Sequence, residues 1–237
     1  MNNILSDLIK ALNNIDRKYY EMQNVVFNNG ILEFDSDEDL KNYERRLMIE
    51  FAVQYSKLFG EDTNQLYNGT QTDFEIPKKY MYYGNPDEKI KDTYEKLSNK
   101  EYKSKSNSEM MFNYFTTIPD FLIHKSQNNF DDEFQKLIVE AKTNPNPSKI
   151  EIFKDIFHIN IYAEKYNYQN CVILLINYPE KKWLTDLRSY LANRYYLASI
   201  EKQNRIFVVF KESYEAASTI NSLVELKTIC QQRCIKK

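Results

Sequence analysis

The chain reads as a layered α/β sandwich, and three observations predict it. Four short apolar runs, at 118–125, 134–142, 170–177 and 205–211, have the length and composition of strands. Stretches with apolar residues at helical spacing follow them, at about 149–167, 181–197 and 212–234. Strands that alternate with amphipathic helices bury a sheet between helical layers. The 237 residues suffice for a single domain, 1–237, with a sizeable core.

Taken in order, Ile4, Leu8, Ile9, Leu12 and Ile15 recur at the spacing of a short amphipathic helix. Residues 25–32 predict a hairpin, because Asn29-Gly30 accepts the positive φ angles of a tight turn. With the helix before it, this hairpin forms an N-terminal addition over 1–37. A longer helix over 38–59 follows the N-cap oxygens of Asp35, Ser36 and Asp37 and stops at Gly60. Residues 60–108 carry Pro77, Pro86 and a polar run from Ser98 to Ser108, and are expected to form an irregular insertion. The catalytic sheet and C-terminal helices are expected over 110–237. The run at 170–177 stops before Pro179, and Trp183, Leu184, Leu187, Tyr190 and Leu191 mark one side of the helix after it. Residues 205–211 are continuously apolar, as a central strand is.

Composition narrows the function classes. With only 4 Gly, the chain has no glycine-rich phosphate loop of the Walker or dinucleotide type. The net charge of −2 argues against binding nucleic acid through a global basic field, but leaves room for a local basic cleft. Three cysteines and two histidines make neither a disulfide framework nor a zinc site. Cys171 sits in an apolar run, which predicts packing, and Cys230 and Cys234 lie four apart on a helix, as packed or solvent-facing thiols; a reducing, cytoplasmic setting follows. The N-terminus lacks the charged start and apolar core of a signal peptide. The longest apolar run, Cys171 to Ile176, is too short to cross a bilayer. Asn68-Gly69-Thr70 matches a glycosylation acceptor and reads here as a turn.

The chemistry concentrates in Ile118-Pro119-Asp120-Phe121-Leu122-Ile123 and Leu137-Ile138-Val139-Glu140-Ala141-Lys142. Side chains alternate along a strand, so Glu140 and Lys142 share one face while Leu137, Val139 and Ala141 form an apolar face that packs on a helix. Pairing the two strands brings Asp120 beside Glu140, giving two oxygen ligands for a hard cation such as Mg²⁺, with the Ala141 carbonyl as a third. A cation held there polarises a scissile phosphate and lowers the pKa of its bound water. Lys142 orients that water and offsets charge at phosphorus. Glu-x-Lys alone is uninformative, since Glu101-Tyr102-Lys103 and Glu225-Leu226-Lys227 repeat it. Its place on a strand beside Pro-Asp gives it meaning. The bland alternative makes Glu140 and Lys142 surface residues of an edge strand.

Ile118-Pro119-Asp120 with Val139-Glu140-Ala141-Lys142 resembles the PD-(D/E)XK nuclease superfamily, which includes many type II restriction endonucleases. The resemblance covers roughly residues 38 to 177. It implies a restriction-endonuclease-like αβββαβ core, a central mixed sheet flanked by helices with N-terminal additions. It further implies Mg²⁺-dependent DNA cleavage that leaves a 5′-phosphate, with Mn²⁺ able to substitute. By position, Asp120 and Glu140 are the metal ligands and Lys142 the catalytic lysine. The superfamily also contains RNA-cutting and inactive members, so an RNA nuclease and a silent binding module for nucleic acid or protein are the alternatives.

Members often add an acid from the first core helix. Glu50 lies on a face with Leu47, Phe51, Gln54 and Leu58, where an unpaired carboxylate is costly. It either faces the metal or pairs with Arg45 or Arg46 at the surface; Glu44 is the second choice. Lys154 and Asp155 fall near the start of the next helix, where Lys154 either contacts DNA phosphate or is solvated. His124 shares the face of Asp120 but lies about 13 Å further along the strand, as a structural or substrate-edge histidine. His158 carries no motif. Lys100, Tyr102, Lys103 and Lys105 form a small basic segment, which either grips a nucleic-acid backbone or is a solvated loop. One active site per chain predicts a homodimer for cutting both strands.

Overall fold

The computed structural model describes residues 3–20, 26–28, 31–33, 37–58, 70–74, 88–98, 119–125, 131–144 and 146–235. The helices are α1 (Asn3–Asn13), α2 (Asp37–Lys57), α3 (Glu88–Ser98), α4 (Lys149–Lys165), α5 (Glu180–Ala192), α6 (Ile200–Gln203) and α7 (Leu223–Ile235). The strands are β1 (Val26–Asn28), β2 (Ile31–Glu33), β3 (Gln71–Phe74), β4 (Phe121–His124), β5 (Gln135–Lys142), β6 (Asn170–Ile176), β7 (Ile206–Lys211) and β8 (Thr219–Ser222). A 3-10 turn at Arg17–Tyr19 follows α1.

β1 and β2 form the expected hairpin, with Asn28 opposite Ile31. The other six strands make one mixed sheet in the order β3-β4-β5-β6-β7-β8. β3, β4 and β5 are antiparallel neighbours, β5, β6 and β7 run parallel, and β8 closes the far edge antiparallel to β7. Parallel neighbours require a crossover, and α4 supplies it between β5 and β6.

The sheet is buried on both faces, so its strands lack simple alternation. Ile138, Cys171, Ile173, Val208 and Phe210 pack beneath α4, α5 and α7. Leu137, Val139, Ala141, Val172, Leu174 and Val209 pack beneath α1 and α2. Ten residues of α4 are buried, so it is a core helix; a capping box between Ser148 and Glu151 fixes its start.

The region 60–108 departs from the expected insertion. It supplies β3, which pairs with β4, and α3, whose Ile90, Thr93 and Leu97 are buried. Gln-Thr-Asp-Phe is too short and polar to announce a strand; pairing with β4 outweighs propensity. The C-terminal region departs as well. The stretch expected as one helix over 212–234 holds β8 first, and α7 begins only after Ser222. There the Ser222 hydroxyl accepts from the Glu225 amide, and the Glu225 carboxylate accepts from the Ser222 amide. That Ser-x-x-Glu box starts the helix eleven residues later than expected. β7 is consequently next to the edge rather than central.

The helix expected over 181–197 ends at Ala192, followed by Arg194 at φ 53°. Beyond it the Tyr196 amide donates to Thr93 Oγ1 of α3, and the Ala198 amide donates to Asn160 Oδ1 of α4. These side-chain acceptors draw the chain inward where a helix would have continued. No helix is long and apolar enough to cross a membrane among the described residues.

Candidate active site

β4 and β5 pair with Phe121 opposite Val139 and Leu122 opposite Ile138. Extended one step past the end of β4, this register sets Asp120 opposite Glu140. The Asp120 amide donates to the Val139 carbonyl at 3.1 Å. Its Oδ2 accepts from the Ala141 amide at 2.6 Å, so the carboxylate supplies an acceptor where the strand has stopped. Asp120 is therefore held by two bonds to β5, and its side chain is fixed rather than free to swing.

Glu140 lies within β5 on the α4 side and is 9% exposed. Tyr162 of α4 donates its hydroxyl to Glu140 Oε1 at 2.8 Å. Burying a carboxylate costs several kcal/mol without such a partner. Lys142 ends the strand on the same face. Its Nζ lies 3.7 Å from Asp155 Oδ2 of α4 and 4.0 Å from Glu44 Oε1 of α2. Glu44 reaches past the strand end, where its Oε2 accepts from the Thr143 amide at 3.1 Å.

Four carboxylates thus face one ammonium. Burial pushes the Asp120 carboxyl up to about 8, reinforced by Glu44 and Asp155 against the Ala141 amide and Lys142. Burial likewise raises Asp155 to about 7, with Lys142 opposing and Glu44 and Glu151 adding to it. Glu140 is held well above the carboxylate range by burial and by Asp120 and Asp155. Glu44 is raised too, by burial first. Burial alone would pull Lys142 down, but Asp155, Glu44, Asp120 and Glu140 together hold its ammonium above the ordinary value. The four carboxyl groups crowd one ammonium, and burial keeps them protonated to higher pH than usual.

Among the described residues, no group of three or more His, Cys, Asp and Glu side chains is arranged as a ready-made metal cage. The donor set nevertheless suits Mg²⁺, which is bound through one or two carboxylates and completes its shell with water and phosphate. Asp155 Oδ2 is buried with no hydrogen-bond partner among the described residues and has Lys142 Nζ at 3.7 Å, so it keeps acceptor capacity at the edge of that donor set.

The structure brings Asp120, Glu140, Ala141 and Lys142 together, and adds Glu44 and Asp155. It does not bring in Glu50, which is half-buried and accepts from Gln54 Nε2 at 2.6 Å. Six residues separate Glu44 from Glu50, about 600° of helical rotation, so the two point to different sides of α2. The buried stripe is Leu47, Met48, Phe51 and Tyr55, continuous with Glu44. Glu50 therefore lies away from the cluster, and Glu44 is the α2 acid that reaches Lys142.

His124 is fully buried, with Gln71 and Gln135 as its cross-strand neighbours. That burial removes it as a substrate contact. Lys154 is exposed beside Asp155. The His158 imidazole is pushed down to about 4 by burial, then by Lys154 and Lys142. Lys100, Tyr102, Lys103 and Lys105 lie outside the described residues. Cys171 is fully buried, and its thiol is raised by burial, consistent with packing.

Sequence reasoning passed over Asp155, treating it only as a neighbour of Lys154. A signal was available: Asp155 belongs to the buried side formed by Ile152, Ile156 and Ile159, where an acid needs a cationic partner. Neither a family model, nor a curated protein, nor a solved structure matches this chain.

Proposed function

We propose that the chain is a Mg²⁺-dependent endonuclease that hydrolyses phosphodiester bonds in DNA, a PD-(D/E)XK enzyme of restriction, defence or mobile-element type. The observation that carries this reading is the meeting of Asp120, Glu140 and Lys142 at the end of β5, with four carboxyl groups gathered around the lysine. The element order supports it. From α2 to β6 the chain runs helix, strand, the helix α3, two strands, helix and strand, which matches the αβββαβ order of that superfamily with α3 inserted between β3 and β4. β3 supplies the third strand.

Asp120 and Glu140 would hold the metal, with the Ala141 peptide at the same corner. When bound, Mg²⁺ supplies Lewis-acid polarisation of the phosphate and a water of lowered pKa. The protein's own part follows from its bonds. The Ala141 amide keeps Asp120 Oδ2 in place, and Tyr162 keeps Glu140 Oε1 in place, so neither must reorganise when substrate arrives. Lys142 remains an ammonium at working pH, so its role is to orient water and offset charge on the phosphoryl oxygens rather than to take a proton. Asp155 and Glu44 aim that ammonium and are positioning residues. Two copies of the chain would place one such site on each strand of a duplex.

Plasmid DNA incubated with Mg²⁺ or Mn²⁺ tests the reading. Wild-type protein cuts; Asp120→Ala and Lys142→Ala do not. Discrete fragments indicate sequence specificity and smears its absence. If the wild type cuts no DNA, the reading fails, and cleavage of RNA alone moves it to the RNA-cutting branch.

A further inference from the structure

We infer that the face of α2 turned away from the acidic cluster, with the 3-10 turn packed on it, is a subsite for the phosphodiester backbone of the DNA flanking the scissile bond. The inference rests on the nuclease reading, and its observations are separate from those of the acidic cluster.

Two cations share one ring there. Lys18 Nζ lies 5.1 Å and the Arg46 guanidinium carbon 5.2 Å from the centre of Tyr19. Arg46 also donates to the Lys18 carbonyl at 3.3 Å, fixing its fork against the turn. Among the described residues, neither Lys18 nor Arg46 has a carboxylate within ion-pair distance. On a chain of net charge −2, two ordered, exposed cations without an acidic partner are a local excess of positive charge. Such cations suit phosphate, to which arginine presents a planar fork and lysine a point charge.

The turn is held in place. Tyr43 Oη and Asn177 Nδ2 both donate to the Tyr20 carbonyl, at 2.7 and 3.1 Å. This ties the turn to α2 and to the chain just beyond β6. Beside the cations lies a cavity of about 290 Å³, lined by Tyr19, Arg45, Arg46, Ile49 and Glu50.

The cations lie across α2 from the candidate active site. Arg46 follows Glu44, which touches Lys142, by two residues: about 3 Å along the helix axis and across a helix some 10–12 Å in diameter.

The test is fluorescence anisotropy with a short labelled DNA duplex in EDTA, so that binding is read without cleavage, across a salt series. Each neutralised phosphate contributes about one unit to the slope of log K against log salt. Lys18→Ala and Arg46→Ala should each lower that slope by about one, the double variant by about two, and Arg46→Lys should keep most of it. The Lys18 side chain makes no hydrogen bond among the described residues, so Lys18→Ala leaves the fold intact. Unchanged slopes in both alanine variants overturn the subsite, as does a wild type that binds no DNA. An equal loss with duplex RNA and none with DNA overturns the assignment to DNA. Plasmid cleavage in Mg²⁺ by the same preparations separates the two proposals: slopes lost beside a wild type that never cuts uphold the backbone contact at these cations and sink the nuclease. A cutting enzyme with unchanged slopes does the reverse.

Discussion

Two lysines end parallel strands of the same sheet, Lys142 on β5 and Lys211 on β7, and they could hardly be less alike. Lys142 projects on the α4 side and faces Asp155, Glu44, Asp120 and Glu140, which hold its ammonium high. Lys211 shares the face of Val209, on the α1 and α2 side, and donates to the carbonyls of Tyr214 and Ala216 at 2.9 and 2.6 Å. The ring of Tyr20 lies 5.6 Å from its Nζ. Burial pulls Lys211 down, with only Glu215 opposing. One lysine holds a loop closed. The other is ringed by four carboxyl groups. Strand position makes a lysine available, and what faces it decides whether its ammonium is held among carboxyls or tied to a loop.

The largest expected effect breaks the pair apart. Under the nuclease reading, Lys142→Met removes the charge that opposes developing negative charge at phosphorus, and kcat for plasmid cleavage should fall about 10³-fold. Lys211→Met loses two hydrogen bonds, about 1 kcal/mol each, and should lower the melting temperature by a few degrees while cleavage stays within about twofold. Equal loss of cleavage in both variants would remove the distinction.

A smaller effect separates the two glutamates of α2. Glu44→Gln removes a carboxylate that aims Lys142 and accepts from the Thr143 amide, and kcat should fall by about 10–100-fold with KM little changed. Glu50→Gln, whose partner is Gln54, should leave kcat within about twofold. A KM effect from Glu44→Gln without a kcat effect would place Glu44 in substrate binding rather than in positioning.

The same contrast explains what the sequence could disclose. Asp120, Glu140 and Lys142 were legible because strand alternation and one pairing register are enough to bring them together. Of the sheet, β4 to β7 were legible as apolar runs. β3 and β8, Gln-Thr-Asp-Phe and Thr-Ile-Asn-Ser, were not, because edge strands are specified by the neighbour they pair with. Glu44 and Asp155 were hard to find for a related reason. Each comes from a helix, and only the packing of α2 and α4 against the end of β5 decides which helical acid meets the lysine. Reading Glu50 into the stripe with Leu47, Phe51 and Leu58 shifted the buried face toward Gln54, whereas Met48 and Tyr55 mark its true direction.

The smallest effect is on stability, and its sign follows from the carboxyls. Asp120 at about 8 and Asp155 at about 7 both stand above their unfolded values, so the folded state binds protons that the unfolded state has released. The stabilisation they give is complete below about pH 4, where both states are protonated, and is lost as pH rises through their folded values. In EDTA the melting temperature should therefore fall between pH 6 and pH 9, by about 4 °C if ~1–2 kcal/mol is at stake in a chain of this length. Asp155→Asn removes one of the titrating groups and should flatten that curve, whereas Lys211→Met should shift the curve without changing its slope. Under the metal-dependent reading, Mg²⁺ should raise the melting temperature more at pH 8.5 than at pH 6, because only ionised carboxylates hold it well. Circular dichroism melts across this pH series read all four curves. A flat wild-type curve would mean that Lys142 already balances its acids, and the contrast with Lys211 would then be one of geometry alone.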